Sequence, residues 1–561
     1  MTPTDGLDTL VKGFFLGQVD QQILFLFPEL DSSETDVVSR LLSDWMQLAS
    51  DKIDQVAIDR TQTIPETVMQ AMRDMGLFGL TIPQRFGGLG LSTSAYGRII
   101  DAVTAVCPAL MLLIGAHLSI GLKGLLLYGN EEQQQRYLPS LATGKAIAAF
   151  ALTEPQTGSD AHALHTRAVH DQGGWRMNGR KIWISNGDIA SMITVFASTP
   201  EVDGEKPLTA FLVEPGLPGF SLGPSAAKLG LHGTNSVVLQ FKDMHIPDQN
   251  VLGEPGEGFR IAVQVLNSGR IGLGAACVGA MKYCLRLASQ WAQKRVAFGA
   301  KIAAYELIQD KVAQMALDIF VGESMVRLAG GMVDRGIKDY AVEAAATKAF
   351  CSEAMWRAAD ELVQIAGGRG YVQPFPYERV LRDSRINRIF EGTNEILRLL
   401  IFEEGTRGLR RSLRALSQSR WGMLKLATHK LQSLKQPALT GATDPRLADM
   451  AGTFRTTTAR LSRDTTELLA RHRANLAKRQ LLVARVADMA IDTFGMAAVL
   501  SRLQSMSGDS ENLSRALPIG RAYFHQAAAR IEQNREALER NDDALRVDIA
   551  QVIYRADGYP L

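Results

Sequence analysis

At 561 residues, with 46% hydrophobic and 21% charged side chains, the chain has a globular composition and a length for about three or four domains, which excludes a disordered or fibrous protein. A net charge of +2 gives no reason to expect a nucleic-acid partner. Four cysteines without a CxxC pair (Cys107, Cys277, Cys284, Cys351) point to a reducing intracellular compartment and to no metal site.

Residues 1–30 are a partly apolar lead-in. They carry an acid early and show neither a signal-peptide nor an Arg-rich transit pattern, so a cytoplasmic protein is expected, or a matrix protein if this is a mature eukaryotic form. From about Ser32 to Ala149 the apolar period is helical, with stops at Gly76, at 83–90 and at Gly129-Asn130. The apolar run from Leu110 to Ala116 is interrupted by His117 and Ser119 and reads as too short to cross a bilayer. From Phe150 to Val251, short β-branched and aromatic runs alternate with Gly, Pro and Asp turns, the texture of a β domain. Long Ala/Leu-rich helical segments return from Gly258 to Phe402.

Between Arg407 and Lys435 a leucine stripe carries eight basic residues and no acid, the composition of an interfacial amphipathic helix. Gln436 to Pro445 reads as a linker, and Leu447 to Ala556 as helical. The charge is uneven: from 405 to 561 there are 25 Lys/Arg against 15 Asp/Glu, and before it 36 against 44. The C-terminal part is therefore expected to meet an anionic surface. The expected segments are 1–149 helical, 150–255 β, 256–405 a helical bundle, 406–446 basic segment and linker, and 447–561 a further helical domain.

Four strings carry chemistry. Phe150-Ala-Leu-Thr-Glu-Pro-Gln-Thr-Gly-Ser-Asp160 leaves a strand for a turn that offers backbone N–H groups and hydroxyls to an oxygen-rich ligand. Gly179-Arg-Lys-Ile-Trp-Ile-Ser-Asn-Gly187 puts Trp183 and Ser185 on one face of a strand, a wall for a flat heterocycle. Gln364-Ile-Ala-Gly-Gly-Arg-Gly-Tyr371 permits close backbone approach at Gly367 and Gly368. In Arg388-Ile-Phe-Glu-Gly-Thr-Asn-Glu-Ile396, Glu391 lies between apolar residues and a Gly-Thr turn. Poor solvation there is expected to raise its pKa toward neutrality, as a general base for a carbon-bound proton requires.

These strings, in this order, resemble the acyl-CoA dehydrogenase family from about residue 30 to 405, most closely its very-long-chain members; Tyr377 to Asp383 and Leu266-Asn-Ser-Gly-Arg270 add to the likeness. The resemblance implies a mainly α fold with a β-barrel-like middle domain between a helical N-domain and a four-helix-bundle C-domain, here followed by an extra helical domain. It implies FAD, with Glu391 removing the proton beside a thioester carbonyl. Leu152, Thr153, Ser159, Trp183 and Ser185 match flavin contacts, the usual residue at 185 being Thr. Arg295, Phe298, Gln309, Gln364, Gly367 and Gly368 match contacts from a second subunit, and Thr393 and Glu395 match contacts near the pyrophosphate or adenine. Ser159, Asn267, Arg270 and Gly392 match substrate-side positions. One branch carries its base where Gly269 stands here, which leaves Glu391 as the candidate.

The expected activity is α,β-dehydrogenation of long or very long acyl-CoA, with electrons passed to an electron-transfer flavoprotein. Acyl-CoA oxidase chemistry, or a scaffold role at a membrane, stays open at this point. Apolar Leu110 to Ile114 with small Gly115 and Ala116 suit a deep acyl tunnel, and His117 reads as a satisfied core histidine. A homodimer is expected, with peripheral contact to an anionic inner-membrane face.

Overall fold

The computed structural model describes residues 9–25, 27–200, 206–373, 375–417 and 444–560, with 437 and 439. Residues 418–435, most of the basic leucine-striped segment, lie outside the described residues; 407–417 continue a helix. The chain divides into two compact units, Pro28–Asn394 and the pair Met1–Phe27 with Glu395–Leu561.

In the larger unit, helix α1 (Ser32–Lys52) starts where the Asp31 carboxylate accepts the Glu34 N–H at 2.8 Å. Its buried Val38, Leu41, Trp45 and Leu48 recur at helical spacing. The Trp45 indole donates to the Ala102 carbonyl at 3.2 Å, which ties α1 to α2 (Thr93–Val106). Next comes α3 (Pro108–Gly115), a π-helical turn (Ala116–Gly121) and a further helix to Tyr128. This corrects the reading of the apolar run as too short: Pro108–Tyr128 is a 21-residue helical stretch whose most apolar 18-residue window has a mean hydropathy of 1.9. Its window is 67% buried within the fold, so its apolarity packs the core. His117 within it is fully satisfied: Nε2 donates toward the Phe78 and Leu141 carbonyls, and Nδ1 accepts the Ala148 N–H at 2.9 Å. Burial pushes its pKa down to about 4, so it stays neutral.

The middle of the unit is one eight-stranded sheet in the order β6-β7-β3-β2-β4-β5-β8, with β1 (Ala148–Ala151) pairing β4 (Met192–Ser198) in parallel. β2 spans Arg167–Asp171, β3 Gly174–Ser185, β5 Leu208–Val213, β6 Phe220–Ser225, β7 Ser236–Pro247 and β8 Val251–Leu252. Side chains from most strands, among them Trp175, Met177, Phe211 and Phe241, meet in one buried cluster. The β3–β7 register slips between Lys181 and Ile184, a bulge that re-aims a side chain at the rim of the sheet.

The bundle comprises α4 (Gly258–Lys294), α5 (Glu306–Asp334), α6 (Ala341–Ala366) and the shorter α7 (Pro376–Ser384). α4 passes so close to α2 that a Cβ at Gly279 would lie 2.0 Å from the Asp101 carbonyl oxygen; only glycine permits that crossing.

The smaller unit holds the remainder of α8 (Asn394–Ser417), then α9 (Ala448–His472), α10 (Gln480–Ser505), α11 (Ser510–Glu539) and α12 (Asp543–Ala556). The lead-in belongs here rather than with residues 28–149: Phe14 stacks edge-on against Phe454 at 5.5 Å, and Phe15 fills the space beside Gly405. Its apolar residues are core residues of this unit. Buried Asp492 pairs with Arg530 at 2.6 Å, and Arg398 pairs with Asp488 at 2.8 Å.

Candidate active site

Glu391 sits in a tight turn between a short helical segment (Arg385–Arg388) and α8, with φ +57 followed by +93 at Gly392. A non-glycine residue with positive φ is strained and needs surroundings that enforce it. Two buried cations do so. The Arg270 Nε donates to the Glu391 carbonyl at 3.1 Å, and the Lys348 Nζ donates to the Gly392 carbonyl at 2.9 Å. Lys348 also bonds Asn394 Oδ1 at 2.9 Å, while Asn394 Nδ2 donates to Ser352 Oγ and Glu353 Oε1, both at 2.9 Å. Glu353 in turn pairs with Arg388 at 2.9 Å. Helices α4 and α6 thus clamp both ends of the turn.

The carboxylate lies against Gly269: a Cβ there would meet Glu391 Oε1 at 2.8 Å and Ile120 Cγ2 at 2.9 Å. Oε2 is buried and has no hydrogen-bond partner among the described residues. Burial pushes the Glu391 pKa up to about 7, against the opposing pull of Arg270 and Lys348. The expected direction is present, but its cause differs from the flanking residues, because Ile389 is 45% exposed. The enclosure comes from α4 and from the π-helical turn that carries Ile120. Tyr96, buried opposite Gly272, continues this wall.

Arg270 and Asn267, expected on the substrate side, are buried together. They are 5% and 7% exposed and bond each other at 2.7 Å, and Arg270 holds the base turn from beneath. Gly392 presents its carbonyl to Lys348. Thr393 is half-buried, and Glu395 is exposed in the first turn of α8.

Around β3, Trp183 is 65% exposed at φ +58 on the bulge, Ser185 is half-buried, and Ile182 and Ile184 between and behind them are buried. Asn186 Nδ2 donates to the Leu113 carbonyl at 3.0 Å, which joins this strand end to α3. Leu152 is buried, Thr153 half-buried and Ser159 exposed. The 152–160 loop is fixed by an ion pair that sequence reading missed. Lys181 Nζ meets Glu154 Oε1 at 2.6 Å and the Leu152 carbonyl at 3.0 Å, while Glu154 also accepts the His165 and Thr166 N–H groups at 2.6 and 3.0 Å. A partial signal was present: Lys181 is buried within β3, and Glu154 is an acid just past the apolar strand β1.

The third group gathers elsewhere in the unit. β9 (Val296–Ala297) and β10 (Ala300–Lys301) form a hairpin with Phe298 at its tip, 98% exposed at φ +52. Arg295, Gly367 and Gly368 line one open cleft with Trp291, Ile302 and Ile365. A Cβ at Gly367 or Gly368 would meet nothing, and among the described residues Arg295 makes no ion pair. Gln364 and Gln309 are exposed nearby in sequence, Gln309 donating to the Ala303 carbonyl at 3.0 Å. A guanidinium that lines the same cleft as two glycines fits a pyrophosphate. An exposed indole with adjacent hydroxyls fits a flavin ring. The residues present therefore suit FAD.

Comparison with known proteins bears on the same regions. The chain matches the family models for the N-terminal (residues 40–145), middle (149–244) and C-terminal (256–405) domains of acyl-CoA dehydrogenase, and the ACAD9/ACADV C-terminal domain (445–559). It is 37% identical over 547 residues to the very long-chain specific acyl-CoA dehydrogenase of Bos taurus, covering 94% of this chain and 84% of that one. An acyl-CoA dehydrogenase from Bacillus anthracis complexed with FAD superposes with a TM-score of 0.82 at 28% identity, covering 98% and 96% of the two chains. Butyryl-CoA dehydrogenase of Megasphaera elsdenii gives 0.64 at 30% identity, covering 68% of this chain and all of that one.

Proposed function

The chain belongs to the acyl-CoA dehydrogenase family, and from that premise we propose how its residues act. It is an FAD-dependent oxidoreductase that dehydrogenates fatty acyl-CoA. In our reading, the Glu391 carboxylate takes the proton from the carbon beside the thioester carbonyl. FAD, when bound, supplies the hydride acceptor for the adjacent carbon. Arg270 and Lys348 hold the turn so that the carboxylate meets that carbon, and Trp183 covers the face of the ring site and limits water. Arg295, Gly367 and Gly368 hold the pyrophosphate, and Ser159 and Ser185 supply hydroxyls at the ring. The observation that carries this reading is the buried, unpartnered Oε2 of Glu391, with a pKa of about 7. A base poised near neutrality is matched to a weakly acidic C–H.

We further assign long or very long acyl chains, with an electron-transfer flavoprotein as acceptor. The buried apolar side of α3 and the names of the relatives support this. Each added methylene contributes about 0.8 kcal/mol, roughly fourfold in binding, so kcat/KM is expected to climb to an optimum beyond about fourteen carbons. The test is anaerobic mixing with palmitoyl-CoA and butyryl-CoA. Palmitoyl-CoA should bleach the flavin absorbance far faster, and air should restore the colour slowly. A butyryl optimum would sink the chain-length assignment, and rapid reoxidation with peroxide release would make the protein an oxidase.

A homodimer that completes each FAD site is supported by Phe298 and by neighbouring exposed apolar side chains, Leu307 at 80% and Tyr371 at 85%. Phe298→Asp should give monomers by light scattering and a lowered flavin-to-protein absorbance ratio; an unchanged dimer with full flavin would refute the arrangement. Peripheral membrane binding rests on the composition of Arg407–Lys435 alone. Each basic residue near an anionic bilayer contributes about 1 kcal/mol before screening. Co-sedimentation with phosphatidylserine vesicles at low salt should be lost at high salt and on deletion of 407–435. Failure to sediment at low salt would remove the membrane from the picture. Fatty-acid oxidation in the matrix or cytoplasm, with its cysteines reduced, is the setting we assign.

A further inference from the structure

Among the described residues, helix α12 is tied down by a buried charge pair at its start. Asp543 is buried, and its carboxylate takes two bonds from Arg485 on α10, at 2.6 and 2.7 Å. Beyond that anchor the helix presents apolar side chains to solvent: Leu545 is 60% exposed, Ile549 49%, Val552 51% and Ile553 37%. An unpacked helix of 14 residues is marginal in water, because helical stability comes mainly from burying an amphipathic face.

The pattern on this helix specifies what covers it. Leu545, Ile549, Val552 and Ala556 recur at intervals of four, three and four, the seam of a two-helix coiled coil. Asp548 and Arg555 stand one heptad apart on the same edge of that seam. When two copies run antiparallel, Ile549 meets Val552 of the other and Leu545 meets Ala556. Asp548 then faces Arg555 of the second copy, and two-fold symmetry repeats the pair. A parallel pair sets Asp548 against Ile553 and gains no such contact. A lipid surface would favour basic flanks, whereas here each edge mixes its residues: Asp548 and Arg555 on one, Arg546 and Ile553 on the other. Val547 and Tyr554 on the reverse side are also exposed, but they form no continuous seam.

We propose that α12 pairs antiparallel with α12 of a second copy of this chain. This contact is independent of Phe298 and the FAD-site arrangement, so it is read as helix-to-helix proximity rather than as mass. All four native cysteines are buried, so engineered thiols on α12 report alone. In FAD-loaded full-length protein, Asp548→Cys combined with Arg555→Cys should form covalent dimers under mild oxidation. Within one helix these positions are roughly 10 Å apart, beyond disulfide reach. Each single variant should remain uncrosslinked, since in the antiparallel pair like positions are also about a heptad apart. Adding Ile549→Asp should abolish the crosslink. Absence of covalent dimer in the double variant overturns the proposal. So does equal crosslinking by either single variant, or crosslinking that survives Ile549→Asp. If another surface covers α12 instead, the double variant stays monomeric on a denaturing gel, which counts against the proposal.

Discussion

Glu391→Gln should leave a folded, yellow protein that binds acyl-CoA and turns over at least about a thousandfold more slowly, within the range that a positioned general base contributes. Gln keeps the shape and fills the pocket against Gly269, but it has no basic oxygen to take the proton. Position 269, which sits beside the carboxylate, offers no substitute base. The same substitution should raise stability. The folded-state pKa of Glu391 is about 7, above its ordinary 4.5, so the folded protein holds a proton that the unfolded chain releases between those values. Stability contributed by this group is complete below about pH 4.5, falls as pH rises toward 7, and stays lost above it. A difference of that size corresponds to something on the order of 3 kcal/mol. The Gln variant should therefore match the parent in urea midpoint at pH 5 and exceed it at pH 8. Near-normal turnover would refute the role of Glu391 as base, and equal midpoints at both pH values would refute its burial as an anion.

Much of this site was legible because local chemistry wrote it into short strings. Glu391 is an acid before a Gly-Thr turn, and the turn chemistry and the apolar run sit within nine residues. The alternation of helical and β texture came from side-chain period alone; along β3 it changes phase at the slip, where Lys181 and Ile182 are both buried. What escaped was written in long-range contacts. Nothing local in Leu266-Asn-Ser-Gly-Arg270 shows that Arg270 also donates to the Glu391 carbonyl, 121 residues away. Lys181 and Glu154 read as ordinary strand residues until pairing brought them together. The lead-in at 11–25 carried no sign that Phe14 would pack on Phe454, in a helix near the other end of the chain. A one-dimensional pattern shows which face is apolar, not which surface covers it.

Lys348 is the clearest case, and it carries the last prediction. It stands in Ala344-Ala-Ala-Thr-Lys-Ala-Phe-Cys-Ser352, an apolar helix face with one ammonium in it, and it is completely buried. Burial pushes its pKa down to about 8, so it is still charged at neutrality. There it bonds the Gly392 carbonyl and Asn394, and its charge favours the ionised form of Glu391. We predict two separable effects of Lys348→Met. The unpaired carbonyl and amide should cost about 1–3 kcal/mol of stability, read as a lower urea midpoint. Loss of the positive charge should move the Glu391 pKa above 7, so the acid limb of the kcat/KM profile moves to higher pH. If the lost attraction is about 1.4 kcal/mol, activity on the acid side of the limb falls about tenfold, while the loss closes up at alkaline pH where the carboxylate is ionised in both proteins. Lys348→Arg should restore the limb toward its original position even if its longer fork packs poorly. A loss that only loosened the turn would lower the rate by the same factor at every pH. That uniform loss in the Met variant, with no restoration by Arg, would reduce Lys348 to a structural clamp without electrostatic control of the base.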